Sequence, residues 1–238
     1  MKTYIMIPTY NERENIAALI GEILKLNIKN LHIVAVDDNS PDGTASIVKG
    51  ISKKRKNVHL LLRTKNKGRG AAGKDGFIYC LQHGADVVIE MDGDFSHHPR
   101  YIPQMLREMQ KYDLVLGSRL VKGGHDIGRG IIRRIITILA NFYITVMLGI
   151  RVKDCNSGFR CFRGSLLRKI KVERLESKGP SIVQEVLFKA HLAGARIKEI
   201  PIDFINRTKG KSKLGLREVA MGYWKVLKLK CAHLAGRL

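Results

Sequence analysis

The chain is poor in acid, in aromatic side chains and in paired cysteines. Among 238 residues, 21 are Asp or Glu against 43 Lys or Arg, which leaves a formal charge of +22. An excess of that size implies an anionic partner and carries no preference for fold. Aromatics make up only 6% and the cations are spread along the chain without a basic tail. Both features disfavour nucleic acid and leave anionic lipid or a phosphorylated substrate. The four cysteines, Cys80, Cys155, Cys161 and Cys231, show neither C-x-x-C spacing nor companion histidines, so they read as reduced cytosolic thiols. From Met1 the chain reaches Asn11 and Glu12 before an apolar signal-peptide region can form. The longest uncharged run, Ile135 to Ile150, has 16 residues, against the roughly 20 that a spanning helix needs. The expectation is one domain, or one with a small appendage, without signal peptide or transmembrane helix. Such a chain can bury about 70 to 75% of its unfolded surface.

What is present alternates between strand and helix signals. Tyr4 to Pro8 reads as a first strand, and Asn11 with Glu14 as a helix-opening cap before Ile16, Leu19, Ile20, Ile23 and Leu24 at helical spacing. Leu31 to Val36 gives a second strand and Val58 to Leu62 a third, with a helix between them entered through Asn39 to Thr44. Asn66 to Gly70 is a glycine-rich cationic turn opening a helix through Gln82. It could cradle phosphate on backbone N–H groups, or be surface-loop glycine, since it lacks the ending of a P-loop. Ile102 to Met109 reads as helix, Leu114 to Leu116 as strand, Lys122 to Gly130 as a polar loop, Asp154 to Arg163 as a turn leading into a short strand, Ser181 to Leu192 as helix, and Arg196 to Phe204 as a last strand. This alternation predicts an α/β fold with a mostly parallel sheet and right-handed crossovers.

Val87 to Met91 has the continuous apolar character of a strand buried on both faces, and it ends in Asp92-Gly93-Asp94. Isolated D-G-D is commonly a turn. At the carboxyl end of a buried parallel strand, however, two acids separated by glycine can hold a divalent cation against a diphosphate. A nucleophile motif of aspartyl-phosphate phosphatases is the competing reading. His97 and His98 precede Pro99 and read as a helix-entry turn, with imidazoles toward solvent or the neighbouring loop.

Ile131 to Ile150 is apolar nearly all round, with Arg133, Thr137, Asn141 and Thr145 spaced by four into one polar stripe. A membrane-surface helix and a buried core helix both fit, and Arg133 with Arg134 at its start favours the interface. From Leu216, a helix carries Val219, Ala220, Tyr223, Trp224, Val226 and Leu227 against Arg217, Lys225, Lys228 and Lys230. That pattern suits a membrane boundary or a basic helix packed on the domain.

Six ordered segments together carry a resemblance. They are Pro8 to Glu12, Val36 to Thr44, Asp92 to Pro99, Gly117 to Arg119, Ser157 to Arg160, and Arg207 with Lys213. Over Tyr4 to about Leu216 the chain resembles the dolichol-phosphate mannosyltransferases, family 2 glycosyltransferases of the GT-A (Rossmann-like) fold. The phosphatase motif would stand near the start of a chain, so the resemblance displaces it. It implies a catalytic domain over 1–213, including an interfacial helix at about 131–150, and a basic amphipathic helix over 214–238. By that resemblance Pro8, Tyr10, Glu12, Val36 and Asp38 hold the donor nucleoside. Asp92, Asp94 and Ser96 bind Mg²⁺ or Mn²⁺, and Gly93 lets the backbone approach. Arg119, Arg207 and Lys213 meet donor or acceptor phosphates, and Arg133 and Thr137 grip the lipid phosphate. The implied reaction moves mannose from GDP-mannose to dolichyl or polyprenyl phosphate with inversion, at the cytoplasmic face of a membrane. A UDP-glucose donor, or a small membrane subunit as partner, is compatible with the same motifs. A hydroxyl acceptor would need a carboxylate base, for which Asp154 and Glu185 are the candidates. A non-enzymatic module binding anionic ligands is the remaining alternative.

Overall fold

The computed structural model describes residues 1–206 and 216–236. In chain order the elements are β1 (Thr3–Thr9), α1 (Ile16–Lys25), β2 (Leu31–Asp37), α2 (Thr44–Lys54), β3 (Val58–Leu62), α3 (Arg69–Gln82), β4 (Val87–Glu90) and α4 (Ile102–Glu108). Then follow β5 (Leu114–Ser118), β6 (His125–Ile127), α5 (Ile131–Leu148), β7 (Arg160–Arg163), α6 (Gly164–Lys169), α7 (Ile182–Leu192), β8 (Ile197–Pro201), β9 (Asp203–Ile205) and α8 (Leu216–Leu234).

Seven strands form the main sheet in the order β3-β2-β1-β4-β7-β5-β8. Every pairing is parallel except those of β7, which runs antiparallel between β4 and β5. Strand alternation sends successive side chains to opposite faces. In β1, Ile5 and Ile7 join the helices α1, α2 and α4 through Ile16, Leu19, Val48 and Met105. Tyr4 and Met6 join α3, α7 and α8 through Phe77, Phe188, Val226 and Leu229. The α/β reading and its mostly parallel sheet therefore hold. The order reverses between β1 and β4, because β1 leads outward to β2 and β3 before the chain returns to β4. In open sheets, the crevice outside the carboxyl ends at such a reversal is where ligands bind.

Four expectations are corrected. Asn11 does not cap a helix: it sits at φ 59°, its N–H donates to Ser40 Oγ, and α1 starts only at Ile16, after Asn15. The segment Lys122 to Gly130 is not all loop, since β6 within it pairs in parallel with β9. The last strand is broken after Pro201 into β8 in the main sheet and β9 in the small one. The fourth concerns α5: of the two readings open for it, the favoured outward-facing one fits and the core helix does not. Ile131, Ile132, Ile135, Ile136, Ile138, Leu139, Phe142 and Val146 are exposed, whereas Asn141, Ile144 and Leu148 are buried. By length and composition α5 is long and apolar enough to cross a membrane, which the 16-residue uncharged run had not suggested.

Candidate active site

The carboxyl ends of β1, β2 and β4 bring three segments to one crevice. β4 ends at Glu90, and Asp92 follows with its side chain 36% exposed. Asp94 is buried, and its Oδ1 accepts from the Ser96 N–H at 3.1 Å and from the Ser96 hydroxyl at 2.6 Å. Ser96 was expected as a ligand. It is itself buried, and its hydroxyl donates to Asp94.

Of the two orientations expected for His97, toward solvent or toward the neighbouring loop, the first is not the one it takes. It is buried, stacked on Phe159 at 5.2 Å and edge-on to Phe204 at 5.5 Å. Burial pulls its imidazole below the usual value, against the opposing fields of Asp92 and Asp94. A neutral ring agrees with Nδ1 accepting the Asp92 N–H at 3.3 Å. The 3.6 Å approach of Nδ1 to Asp92 Oδ2 is then contact with an uncharged ring and not an ion pair. His98 caps the next turn, its Nδ1 accepting from the Arg100 N–H.

A cation that the motif reading missed stands beside these acids. Arg69, the first residue of α3, donates to Glu90 Oε1 at 2.8 Å and to Asp92 Oδ1 at 3.3 Å. Burial would lower its guanidinium, but the carboxylates of Glu90 and Asp92 more than offset that, so it stays charged. Only the presence of a cation in the glycine-rich turn signalled it. The turn makes no phosphate cradle in this structure: the Gly68 N–H donates to Asp38 Oδ2, and those of Gly70 and Ala71 to the Lys178 carbonyl. Gly70 is required there, because a Cβ would collide with the backbone of 177–179.

The other expected residues divide into lining and support. Tyr10 is exposed at the end of β1, and Glu12 lies over Gly93, whose added Cβ would fall 3.3 Å from Glu12 Cγ. Pro8 and Val36 are buried in the paired strands β1 and β2, near their carboxyl ends. Asp38 is buried as well. Arg63 and the Gly68 N–H occupy its two oxygens, which ties the β2 end to the α3 turn. Arg119, just past β5, forms a fork on Asp154 through Nε and Nη2, both at 2.8 Å, and lies over the Phe204 ring at 4.9 Å. Arg133 is exposed on α5, and the Thr137 hydroxyl donates back to its carbonyl at 2.9 Å. Arg207 and Lys213 lie outside the described residues.

Asp154 and Glu185 are not placed as bases. Asp154 is fully buried on Arg119. Glu185 accepts the N–H groups of Glu176 and Ser177 at 3.0 and 2.8 Å. Burial would raise both carboxyls, yet these partners hold both below the usual range.

Among the described residues no cluster of three or more His, Cys, Asp or Glu could hold a metal. The pair Asp92 and Asp94 still fits Mg²⁺ or Mn²⁺, which take hard oxygen donors and commonly bind one or two carboxylates plus substrate phosphates. Gly158 packs against Asp92, where an added Cβ would crowd Oδ2 at 3.3 Å.

The glycosyl transferase family 2 sequence model matches residues 4–174. The chain is 37% identical over 214 residues to the undecaprenyl-phosphate mannosyltransferase of Micrococcus luteus, covering 90% of this chain and 88% of that one. It is 34% identical over 227 residues to the polyprenol monophosphomannose synthase of Mycolicibacterium smegmatis, covering 94% and 85%. Among solved structures it is similar to glucosyl-3-phosphoglycerate synthase from Mycobacterium tuberculosis, determined with Mn²⁺, UDP and glucosyl-3-phosphoglycerate. The TM-score is 0.68 at 17% identity, covering 99% of this chain and 80% of that one. At that identity the likeness concerns the fold.

Proposed function

The chain belongs to glycosyl transferase family 2, and from that premise we propose that it transfers mannose from GDP-mannose to a polyprenyl phosphate at a membrane surface. The names of the two mannosyltransferase relatives support the sugar and the acceptor class. The observation that carries the reading is the pair Asp92 and Asp94, set where the sheet order reverses, with only a glycine, Gly158, packed against Asp92.

The acceptor explains why no base is needed. A phosphate monoester has its second pKa near 6 and is largely ionised at neutral pH. It is therefore already a nucleophile, in keeping with the occupied carboxylates of Asp154 and Glu185. A hydroxyl acceptor would require one of them to be released. The difficulty that remains is electrostatic, because two anions must approach. Asp92 and Asp94 would hold Mg²⁺ or Mn²⁺, which when bound supplies positive charge to the donor diphosphate and stabilises the leaving nucleotide. Arg69 orients Asp92 through its hydrogen bond to Oδ1, and the Ser96 hydroxyl orients Asp94 in the same way. Attack on the face opposite the leaving group inverts the sugar carbon. The exposed apolar side of α5 with Arg133 and Arg134 suits acyl chains below lipid phosphates.

The test is direct. Purified protein is incubated with radiolabelled GDP-mannose, Mn²⁺ and polyprenyl phosphate, and the organic phase is counted. Label should appear there as an acid-labile mannolipid, and chelation should remove it. If neither GDP-mannose nor UDP-glucose gives an extractable product, the proposal is wrong.

A further inference from the structure

We propose that Asp126 is a specificity-determining residue whose Oδ1 accepts a hydrogen bond from a hydroxyl of the hexose being transferred. The proposal rests on the mannosyl-transfer reading and extends it to one atom. β6 alternates as strands do: His125 and Ile127 are exposed, whereas the Asp126 side chain between them is only 7% exposed. Asp126 pairs in register with Phe204 of β9, so the two side chains share a face.

That face leads to the carboxylates of the crevice. The Phe204 ring carries the guanidinium of Arg119 at 4.9 Å and that of Arg129 at 5.9 Å, and it meets the His97 ring that contacts Asp92. Arg119 feels the fields of Asp154, Asp126 and Asp92 together. Asp126 and Asp92 are thus neighbours of one cation, the region a sugar linked to the diphosphate would enter.

The two oxygens of Asp126 differ. Oδ2 accepts from Arg129 Nη1 at 3.0 Å. Oδ1 is shut off from solvent with no hydrogen-bond partner, the only carboxylate oxygen so left among the described residues. A buried acceptor in that state has lost water without replacement, and a donor that reaches it recovers the loss. The donor required is neutral, because the cations are already in place and a carboxylate repels a phosphate. A sugar hydroxyl meets those conditions. Sites built to hydrogen-bond a hydroxyl reject analogues lacking it, since the protein group is then left unpaired.

The experiment crosses Asp126→Asn with the four monodeoxy forms of the nucleotide-linked mannose, reading kcat/KM for transfer to polyprenyl phosphate. Wild type should lose about 10- to 100-fold with one deoxy donor. The variant should be slow with the parent donor yet indifferent to that same deletion, giving a coupling of about tenfold or more. A purely structural role would slow all donors by one factor. Additive losses at all four positions therefore overturn the proposal. Thermal midpoint and nucleotide affinity are compared with wild type. Asp126→Glu, which keeps the charge, takes the place of the Asn variant if that one does not fold. A wild-type protein that transfers no hexose refutes the transfer reading and this one with it. Active wild type with additive losses refutes the role of Asp126 alone.

Discussion

Replacing Asp154 with Asn removes the charge that faces Arg119 while keeping the shape of the side chain. The pair is buried on both sides, with Arg119 at 8% and Asp154 at 0% side-chain exposure, and three donors from Arg119 converge on one carboxylate. Breaking a buried pair by deleting one partner typically costs about 3 to 5 kcal/mol, because the survivor is left uncompensated. At about 2 to 4 °C per kcal/mol for a chain of this size, the thermal midpoint should fall by about 6 to 20 °C. The pH dependence provides a second check. Burial would raise the Asp154 carboxyl, but Arg119 holds it below its unfolded value. Its contribution is therefore complete above the unfolded pKa of about 4 and is lost as pH falls through the folded value. Urea titrations at pH 7 should show the full difference between wild type and variant, and the two curves should converge in strong acid. Replacing both partners by apolar residues of similar volume should recover most of the loss. A variant that melts within about one degree of wild type at pH 7 would refute the claim that this buried pair is a support whose loss leaves Arg119 uncompensated.

Asp92→Asn or Asp94→Asn should abolish metal-dependent transfer, seen as no extractable label, while sedimentation with anionic vesicles stays at the wild-type level. Arg133→Ala should raise KM for polyprenyl phosphate about tenfold and leave KM for the nucleotide sugar within about twofold; equal change in both would contradict its placement on the acceptor side. Leu139→Glu on the exposed face of α5 should weaken vesicle binding about 10- to 100-fold, the equivalent of withdrawing one leucine from an apolar phase. The same variant should leave the thermal midpoint unchanged, because Leu139 is 60% exposed in the protein alone.

The strands flanking the crevice were readable because each is buried on two faces and ends in a change of composition, as at Ile89 and Asp92. Three-residue elements were not. β6 is held by β9, 78 positions further along the chain, and no local period marks so short a partner. β7 was legible as a strand but not as the antiparallel one, for its four residues include Arg160. That guanidinium is fully buried and satisfied by the carbonyls of Cys155, Ser157 and Val183. In the site, Asp92 and Asp94 could be picked out by spacing from a strand end. The cations that position the acids could not, since Arg69 meets Asp92 across 23 positions and Arg63 meets Asp38 across 25. Asp126 gave no signal at all in a segment that reads as polar loop.

The orientation of α5 links the sequence to the proposed reaction. A helix on a water-soluble domain turns its apolar stripe inward, but here Asn141 and Thr145 of the polar stripe dock beside Ile144 and Leu148 while most of the apolar side chains stay outside. Asn141 is buried, its Oδ1 accepting from the backbone and side chain of Asn156, whose own Oδ1 accepts from Gln184 on α7. The Thr145 hydroxyl donates to the Val152 carbonyl one turn beyond the helix. Directed hydrogen bonds thus help seat the helix and fix its rotation, together with the buried Ile144 and Leu148, and Ile131, Ile132, Ile135, Ile136, Ile138, Leu139 and Phe142 face outward. Burying these instead would leave Asn141, Thr145 and Asn156 without their partners, so polar satisfaction and the burial of Ile144 and Leu148 select the same rotation. Under the proposed function, an apolar face of that extent on a chain of net charge +22 would find its complement in a surface that is apolar within and anionic at its rim. Under the proposed reading, that surface also delivers the acceptor. Arg133 stands on the same stripe as Asn141, two turns nearer the amino end, so the contacts that seat the helix also determine where a lipid phosphate would be received.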